Sequence, residues 1–153
     1  MKYYIVLIIL LFGFGFLTDI NFVEPAKGKE IMLGRQNNMN SGDSGWIALN
    51  HVDQITEIIK ESRNKPVLIY KHSTACGISH MTESRLKQDW DEIKDKVTLY
   101  YLDLLTYRTV SNEISRIFNV VHQSPQLILV VDGKAVSSWS HYEVSVKPVL
   151  KEL

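Results

Sequence analysis

The sequence predicts an α/β protein with a mixed central sheet. Through residues 46–118, short apolar runs alternate with segments of helical periodicity, which is the pattern of parallel strands joined by right-handed crossover helices. After residue 124 the pattern changes to two apolar runs separated by Asp132-Gly133. Asp-Gly between apolar runs is a strong hairpin signal. The predicted order is therefore βαβαβαββα, with the hairpin adding an antiparallel edge.

The first three elements follow from apolar spacing and capping residues. Residues 46–49 form a short strand candidate. Asn50 offers an N-cap, with Asp53 in the first turn. The helix that follows carries its apolar residues on one face: Val52, Ile55, Ile58 and Ile59. Residues 67–70 are continuously apolar, which is typical of a strand buried on both faces in a parallel sheet.

The later elements alternate in the same way up to the hairpin. A second helix is predicted beyond Ser79, running to about residue 94. Thr109 can cap a third helix, whose apolar positions recur at helical spacing: Ile114, Ile117 and Phe118. Three more strands are predicted, at residues 97–102, 126–131 and 134–140. The last helix begins near Ser145 and runs to residue 153, with Pro148 inside its first turn.

Composition limits the classes of function. The chain has 153 residues, and its 17 basic and 17 acidic side chains cancel, so no overall field favours nucleic acid, and no nucleic-acid partner is expected. Its single cysteine excludes an intramolecular disulfide and a multi-cysteine zinc site. We expect no bound metal or cofactor, and a monomer.

The N-terminus differs from the rest of the chain. Lys2 precedes an apolar block at residues 3–17, which is the pattern of a secretory signal or a membrane anchor. We therefore assign residues 1–23 to a signal peptide or anchor, residues 24–45 to a flexible tether rich in Gly, Asn and Ser, and residues 46–153 to the folded domain. This predicts an exported or membrane-anchored protein, associated with the membrane through residues 3–17; a cytoplasmic location is the alternative.

The only cysteine, Cys76, lies between an apolar strand and a helical segment. The free N–H groups and positive dipole of a helix N-terminus favour thiolate, the reactive form of cysteine. Ser79 stands where a C-x-x-C pair has its second cysteine, and its hydroxyl can donate a hydrogen bond to the thiolate. A buried, inert cysteine is the alternative at this point.

Four blocks, at residues 71–79, 122–126, 132–134 and 140–141, resemble the YtxJ-type monothiol bacilliredoxins of the thioredoxin superfamily. The resemblance covers residues 46–153 and not the N-terminal apolar segment. One departure is Gly77, where that family is expected to have proline. The resemblance implies a thioredoxin-like fold for residues 46–153, with Cys76 as the catalytic thiol.

The resemblance also implies the surroundings of Cys76. Thr74, Gly77 and Ser79 are the candidates for stabilising the thiolate. The Ser124-Pro125 bond is expected to be cis, with Pro125 facing Cys76 and the Ser124 backbone free to pair with an extended substrate. His141 is a secondary candidate for substrate binding.

The implied reaction is thiol–disulfide exchange on mixed disulfides between proteins and a low-molecular-weight thiol such as bacillithiol. The partners are then S-thiolated proteins, and the small thiol is a co-substrate. Bacillithiol is cytosolic, whereas a basic residue before an apolar anchor places the following domain outside, so both locations stay open.

Two other functions are compatible with the sequence. Residues 76–79, Cys-Gly-Ile-Ser, differ by one residue from the Cys-Gly-Phe-Ser motif of monothiol glutaredoxins, which implies a [2Fe–2S] cluster carrier. However, Ser138-Trp139 replaces the Gly-Gly pair expected after the hairpin in those proteins. The other possibility is a non-catalytic thioredoxin-fold binding module.

Two histidines lie near Cys76 in the sequence. His80 is either a cation near the thiolate or a surface residue, and His72 is expected to be structural.

Overall fold

The computed structural model describes residues 44–153. The predicted signal or anchor at residues 1–23, and nearly all of the predicted tether at residues 24–45, lie outside the described residues. Within residues 44–153, no helix is both long and apolar enough to cross a bilayer.

The described residues follow the predicted element order. The strands are β1 (Ile47–Ala48), β2 (Val67–His72), β3 (Thr98–Asp103), β4 (Gln126–Val131) and β5 (Lys134–Ser140). The helices are α1 (Gln54–Glu61), α2 (Gly77–Gln88), α3 (Arg108–Ile117) and α4 (Val146–Leu150), with 3₁₀ turns at Trp90–Glu92 and His141–Glu143. The βαβαβαββα prediction is therefore confirmed.

The sheet is mixed, and β2 is its central strand. The strand order is β1-β3-β2-β4-β5. β2 runs parallel to β3 and antiparallel to β4, and β4 pairs with β5 as an antiparallel hairpin. All six residues of β2 are buried, as expected for a strand covered on both faces.

The hairpin turn has the backbone that Asp132-Gly133 predicts. Both residues have positive φ, 51° at Asp132 and 76° at Gly133, and a two-residue turn with two positive φ angles matches the twist of the flanking strands. The turn is also tied to α1. The Asp132 N–H donates to the Ser62 carbonyl and the Gly133 N–H to the Ser62 hydroxyl, each over 2.9 Å.

Each face of the sheet carries its own apolar core. Leu68 and Tyr70 of β2 pack in the core that α2 and α4 cover, whereas Val67 and Ile69 pack in the core that α1 and α3 cover. Because side chains alternate along a strand, the last two residues of β2 also point to opposite faces. Lys71 therefore points to the face that α3 covers, and His72 points to the face that α2 covers.

Several predicted helix ends need correction, among them that of α4, which ends at Leu150 rather than at residue 153. α1 begins at Gln54 rather than after an Asn50 cap, because the Gln54 side-chain oxygen accepts the N–H groups of Asn50 and His51, each over 2.9 Å, and holds them in a turn. α3 begins at Arg108, with Tyr107 at the N-cap position, so Thr109 lies inside the helix.

α2 begins and ends earlier than predicted. It starts at Gly77, so Ser79 lies in its first turn, and it ends at Gln88. Asp89 has non-helical backbone angles, and a separate 3₁₀ turn follows.

Candidate active site

Cys76 is the N-cap residue of α2. Its backbone is extended, with φ −118° and ψ 118°. Its N–H donates to the Ser73 carbonyl over 3.1 Å, and its own carbonyl accepts the His80 N–H over 3.2 Å, which is the first bond of the helix. The side chain is partly exposed. The local fold therefore presents the sulfur at the helix N-terminus, accessible to a second molecule.

Hydrogen bonds from the first turn of α2 lower the pKa of the Cys76 thiol. The largest contribution comes from the Ser79 N–H and the next from the Ser79 hydroxyl; partial burial opposes them, and the Ile78 N–H adds a smaller contribution. These N–H groups are available because the first turn of a helix has no internal acceptors for them. Within residues 44–153, the groups that lower this pKa include no cationic side chain.

Ser79 is oriented by its other contact. Its side chain is fully buried, and its hydroxyl oxygen accepts the Ser73 N–H over 3.2 Å. Because the oxygen acts as acceptor there, its single hydrogen remains available to Cys76. Ser79 thus occupies the position of a second cysteine and supplies a hydrogen bond instead of a thiol.

The Tyr70 hydroxyl binds the first turn of α2 through the Ser79 carbonyl, a contact that the sequence analysis missed. The Tyr70 and Thr82 hydroxyls are 2.9 Å apart, and they lie 2.9 and 3.0 Å from the Ser79 carbonyl oxygen, respectively. Burial raises the pKa of Tyr70, so it stays a neutral donor. A tyrosine within an apolar run gives no sequence signal for such a contact, because the partner lies nine residues away on the next element.

The predicted substrate-binding residues lie together at one end of the sheet, the edge formed where β2 ends and β4 begins. The Ser124-Pro125 bond is cis, as expected. Gln126 pairs with Lys71 on one side and with Ser140 on the other, and the His141 N–H donates to the Pro125 carbonyl over 3.0 Å. Ser124, Pro125 and His141 are therefore at the edge from which the Cys76 loop leaves β2; their roles in binding stay predictions.

The side chains at this edge differ in burial and in hydrogen bonding. The Ser124 hydroxyl oxygen is buried and has no hydrogen-bond partner among the described residues. The His141 side chain is exposed. α2 contacts the turn that follows β5, since Arg85 donates to the Tyr142 carbonyl over 3.1 Å.

Thr74 and Gly77 contribute differently from Ser79. The groups that lower the pKa of Cys76 within the described residues are those of Ser79 and Ile78, so stabilisation by Thr74 or Gly77 stays a prediction. Thr74 is exposed, and its carbonyl lies 3.0 Å from His80 Nε2. A Cβ atom added to Gly77 would meet nothing within 4 Å, so space does not require glycine there.

Lys71 is a second feature that the sequence analysis missed. Its side chain is fully buried, and its Nζ lies 3.0 Å from His122 Nδ1 and 3.4 Å from the Ser115 hydroxyl. Burial, with a smaller effect of the Arg108 charge, lowers the pKa of Lys71 to about 8. The only available signal was a lysine at the end of an apolar run.

Among the described residues, one group of His and Glu side chains has its ligand atoms close enough together that it could hold a metal ion. It consists of His72, His80 and Glu83, whose ligand atoms all lie within 4.8 Å of one another. His72 is buried, as expected for a structural residue, while His80 is exposed and its ring contacts that of His72 at a centroid distance of 5.0 Å.

Comparison with known proteins gives a family and a fold. The family model described as "Monothiol bacilliredoxin BrxC" matches residues 47–149. A solved structure described as "a putative oxidoreductase with a thioredoxin fold" is 32% identical over 70% of this chain and 92% of its own, with a TM-score of 0.62.

More distant structures agree on the fold alone. Thioredoxin from Fasciola hepatica is 17% identical over 69% of this chain and 96% of its own, with a TM-score of 0.58. Thioredoxin O2 from Arabidopsis thaliana is 21% identical over 72% of this chain and 95% of its own, also with a TM-score of 0.58.

Proposed function

Because this chain belongs to the monothiol bacilliredoxin family, whose thioredoxin fold supports thiol–disulfide oxidoreduction, we propose that it reduces mixed disulfides between proteins and bacillithiol. The observation that carries the proposal is the state of Cys76: a partly exposed thiol at the N-terminus of α2 whose pKa is lowered by Ser79 and Ile78. A lowered pKa increases the fraction of thiolate, which is the nucleophilic form of cysteine.

The reaction has two exchanges. The Cys76 thiolate attacks the small-thiol sulfur of the mixed disulfide. A disulfide bond forms between Cys76 and the small thiol as the disulfide bond between the small thiol and the client's cysteine sulfur breaks, and the released client thiolate takes up a proton. A second bacillithiol thiolate then attacks the sulfur of the small thiol held on Cys76. This releases bacillithiol disulfide and returns the Cys76 thiolate. Net, one mixed disulfide and one bacillithiol give one protein thiol and one bacillithiol disulfide.

A single cysteine is sufficient for this chemistry, since the resolving thiol comes from solution. Ser79 cannot form a disulfide with Cys76, so the enzyme has no internal route for releasing a bound protein. Attack on the small-thiol sulfur avoids a covalent complex between Cys76 and the client protein, because the client protein is the leaving group. The absence of a second cysteine in the chain therefore favours the small thiol as the group retained on Cys76.

The sheet edge next to the Cys76 loop is the proposed contact surface for the S-thiolated protein. The Ser124 backbone would pair with an extended client segment, and the exposed His141 side chain borders the same edge. The His141 N–H is already used by the Pro125 carbonyl, so only the imidazole remains for a client.

The test is transfer of the small thiol to Cys76. A test protein with one S-bacillithiolated cysteine is mixed with an equimolar amount of the reduced full chain. We expect free thiol on the test protein and a mass increase of one bacillithiol on this chain. Cys76→Ser abolishes both, and Ser84→Ala, an exposed serine on α2, leaves both unchanged.

The result against the proposal is an unreacted mixture, or accumulation of a disulfide between Cys76 and the test protein. A parallel reaction with a glutathionylated test protein compares the rate at which the test protein is released from the two small thiols. Faster release from the bacillithiol adduct supports the proposed co-substrate; equal or slower release contradicts it.

A further inference from the structure

A set of two imidazoles and one carboxylate lies beside the first turns of α2. His72 is the last residue of β2, while His80 and Glu83 are three residues apart on α2. Residues at this spacing share one helix face. That face packs over the end of β2, which brings the three ligand atoms within 4.8 Å of one another.

The separations suit an ion with short bonds. His72 Nδ1 lies 3.5 Å from Glu83 Oε2, too far for a strong hydrogen bond. Two ligands of a tetrahedral zinc ion with bonds of 2.0–2.1 Å are separated by about 3.3 Å. The His72–Glu83 pair therefore already has nearly the spacing of two ligands, and the third member of the set, His80, has an exposed side chain.

The His80 ring is held in the tautomer that a metal ligand needs. The His80 Nε2 lies 3.0 Å from the Thr74 carbonyl; a carbonyl only accepts, so Nε2 carries the hydrogen and Nδ1 keeps its lone pair. A ligand histidine typically donates its other N–H to such a carbonyl.

Glu83 is oriented by a different contact. Lys87 binds its Oε1 over 2.6 Å, which leaves Oε2 directed at His72. The other charged group near His72 is Asp103, its register partner on β3. The Asp103 carboxylate oxygens accept the Leu105 N–H and the Thr106 hydroxyl, and Asp103 is not one of the three residues whose ligand atoms lie within 4.8 Å of one another.

We propose that His72, His80 and Glu83 bind one divalent transition-metal ion of the zinc type. Two histidines and one carboxylate form a three-ligand set that leaves a fourth position open. The site is one helical turn from Cys76, whose carbonyl accepts the His80 N–H. This goes beyond the proposed thiol exchange and does not depend on it. The expectation of no metal rested on the single cysteine and took no account of this set.

The test is zinc binding by the metal-free full chain, measured in competition with a chromophoric chelator. We expect one Zn²⁺ per chain. His80→Ala and Glu83→Gln each weaken binding by about 100-fold or more, since they remove a direct ligand and loss of an outer-shell partner alone costs 10–100-fold. His51→Ala, an exposed histidine beside α1, is the matched control and leaves the affinity unchanged.

Two further results separate this site from binding by the thiol alone. Cys76→Ser is expected to retain the affinity, and Co²⁺ bound to the wild-type chain is expected to show no sulfur-to-cobalt charge-transfer band. The proposal is overturned if wild type binds no stoichiometric Zn²⁺, if both ligand variants bind as wild type does, or if Cys76→Ser alone abolishes binding. Circular dichroism of each variant verifies that it is folded.

Discussion

The substitution Lys71→Met should stabilise the protein at neutral pH. Lys71 is fully buried, and its Nζ contacts within residues 44–153 are to neutral groups, the His122 ring and the Ser115 hydroxyl. A buried ammonium without a carboxylate partner opposes folding. Methionine has similar length and no charge, so it fills the same space without that cost.

The magnitude follows from the two pKa values. In the unfolded chain the amine has its ordinary pKa of 10.5, and in the folded protein about 8; this gap corresponds to about 3 kcal/mol. Between those values the unfolded chain binds more protons than the folded protein, so wild-type stability rises as pH increases from about 8 to 10.5. Below pH 8 the full penalty applies.

The assay is urea denaturation of wild type and Lys71→Met at pH 7, 9 and 10. We expect the stability advantage of the variant to fall from about 3 kcal/mol at pH 7 to about 2 at pH 9 and about 1 at pH 10. Lys147→Met, at an exposed lysine of α4, should change stability by less than about 0.5 kcal/mol at every pH. A difference for Lys71→Met that does not vary with pH, or a destabilised variant at pH 7, would refute the reasoning.

Three further predictions concern the first turn of α2. Ser79→Ala removes a donor to the thiolate and should raise the pKa of Cys76, slowing its alkylation at pH 7 by about 3- to 10-fold; an unchanged pH profile contradicts this. Gly77→Pro should stabilise the protein by about 0.4–1 kcal/mol in urea denaturation, since proline suits the first helical position and Cys76 already has the extended backbone required before proline; a lower midpoint would be inconsistent with it. Tyr70→Phe should cost about 1–3 kcal/mol, because a buried bond to the Ser79 carbonyl is lost; a loss under about 0.5 kcal/mol would show that Thr82 satisfies that carbonyl alone.

Local signals were enough to predict the fold. The continuous apolar run of β2 and the Asp132-Gly133 turn each depend on neighbouring residues alone. Both form as predicted, although β2 extends beyond the predicted residues 67–70 to His72. The predicted start of α1 was wrong because the side chain of Gln54, the first residue of the helix, binds the backbone that precedes it. A capping residue such as Asn50 is only a local preference, and this contact overrides it.

Residue spacing alone predicted the site only where its residues are close in sequence, and the placement of Ser124, Pro125 and His141 came from the family resemblance. Cys76 and Ser79 lie within one helical turn, so their relation follows from spacing. Tyr70 contacts Ser79 across the gap between a strand and a helix, and His72 approaches Glu83 in the same way. Such contacts depend on how α2 packs on β2, which residue spacing along the chain does not specify.

The pH dependence of Cys76 alkylation tests the central claim most directly. Because Cys76 is the only cysteine in the chain, the rate of iodoacetamide modification of the intact protein reports one thiol. Hydrogen bonds from Ser79 and Ile78 lower its pKa, so we predict a midpoint below the value of about 8.5 for an unperturbed thiol. A midpoint at or above that value would contradict the assignment of Cys76 as the reactive thiol of an oxidoreductase.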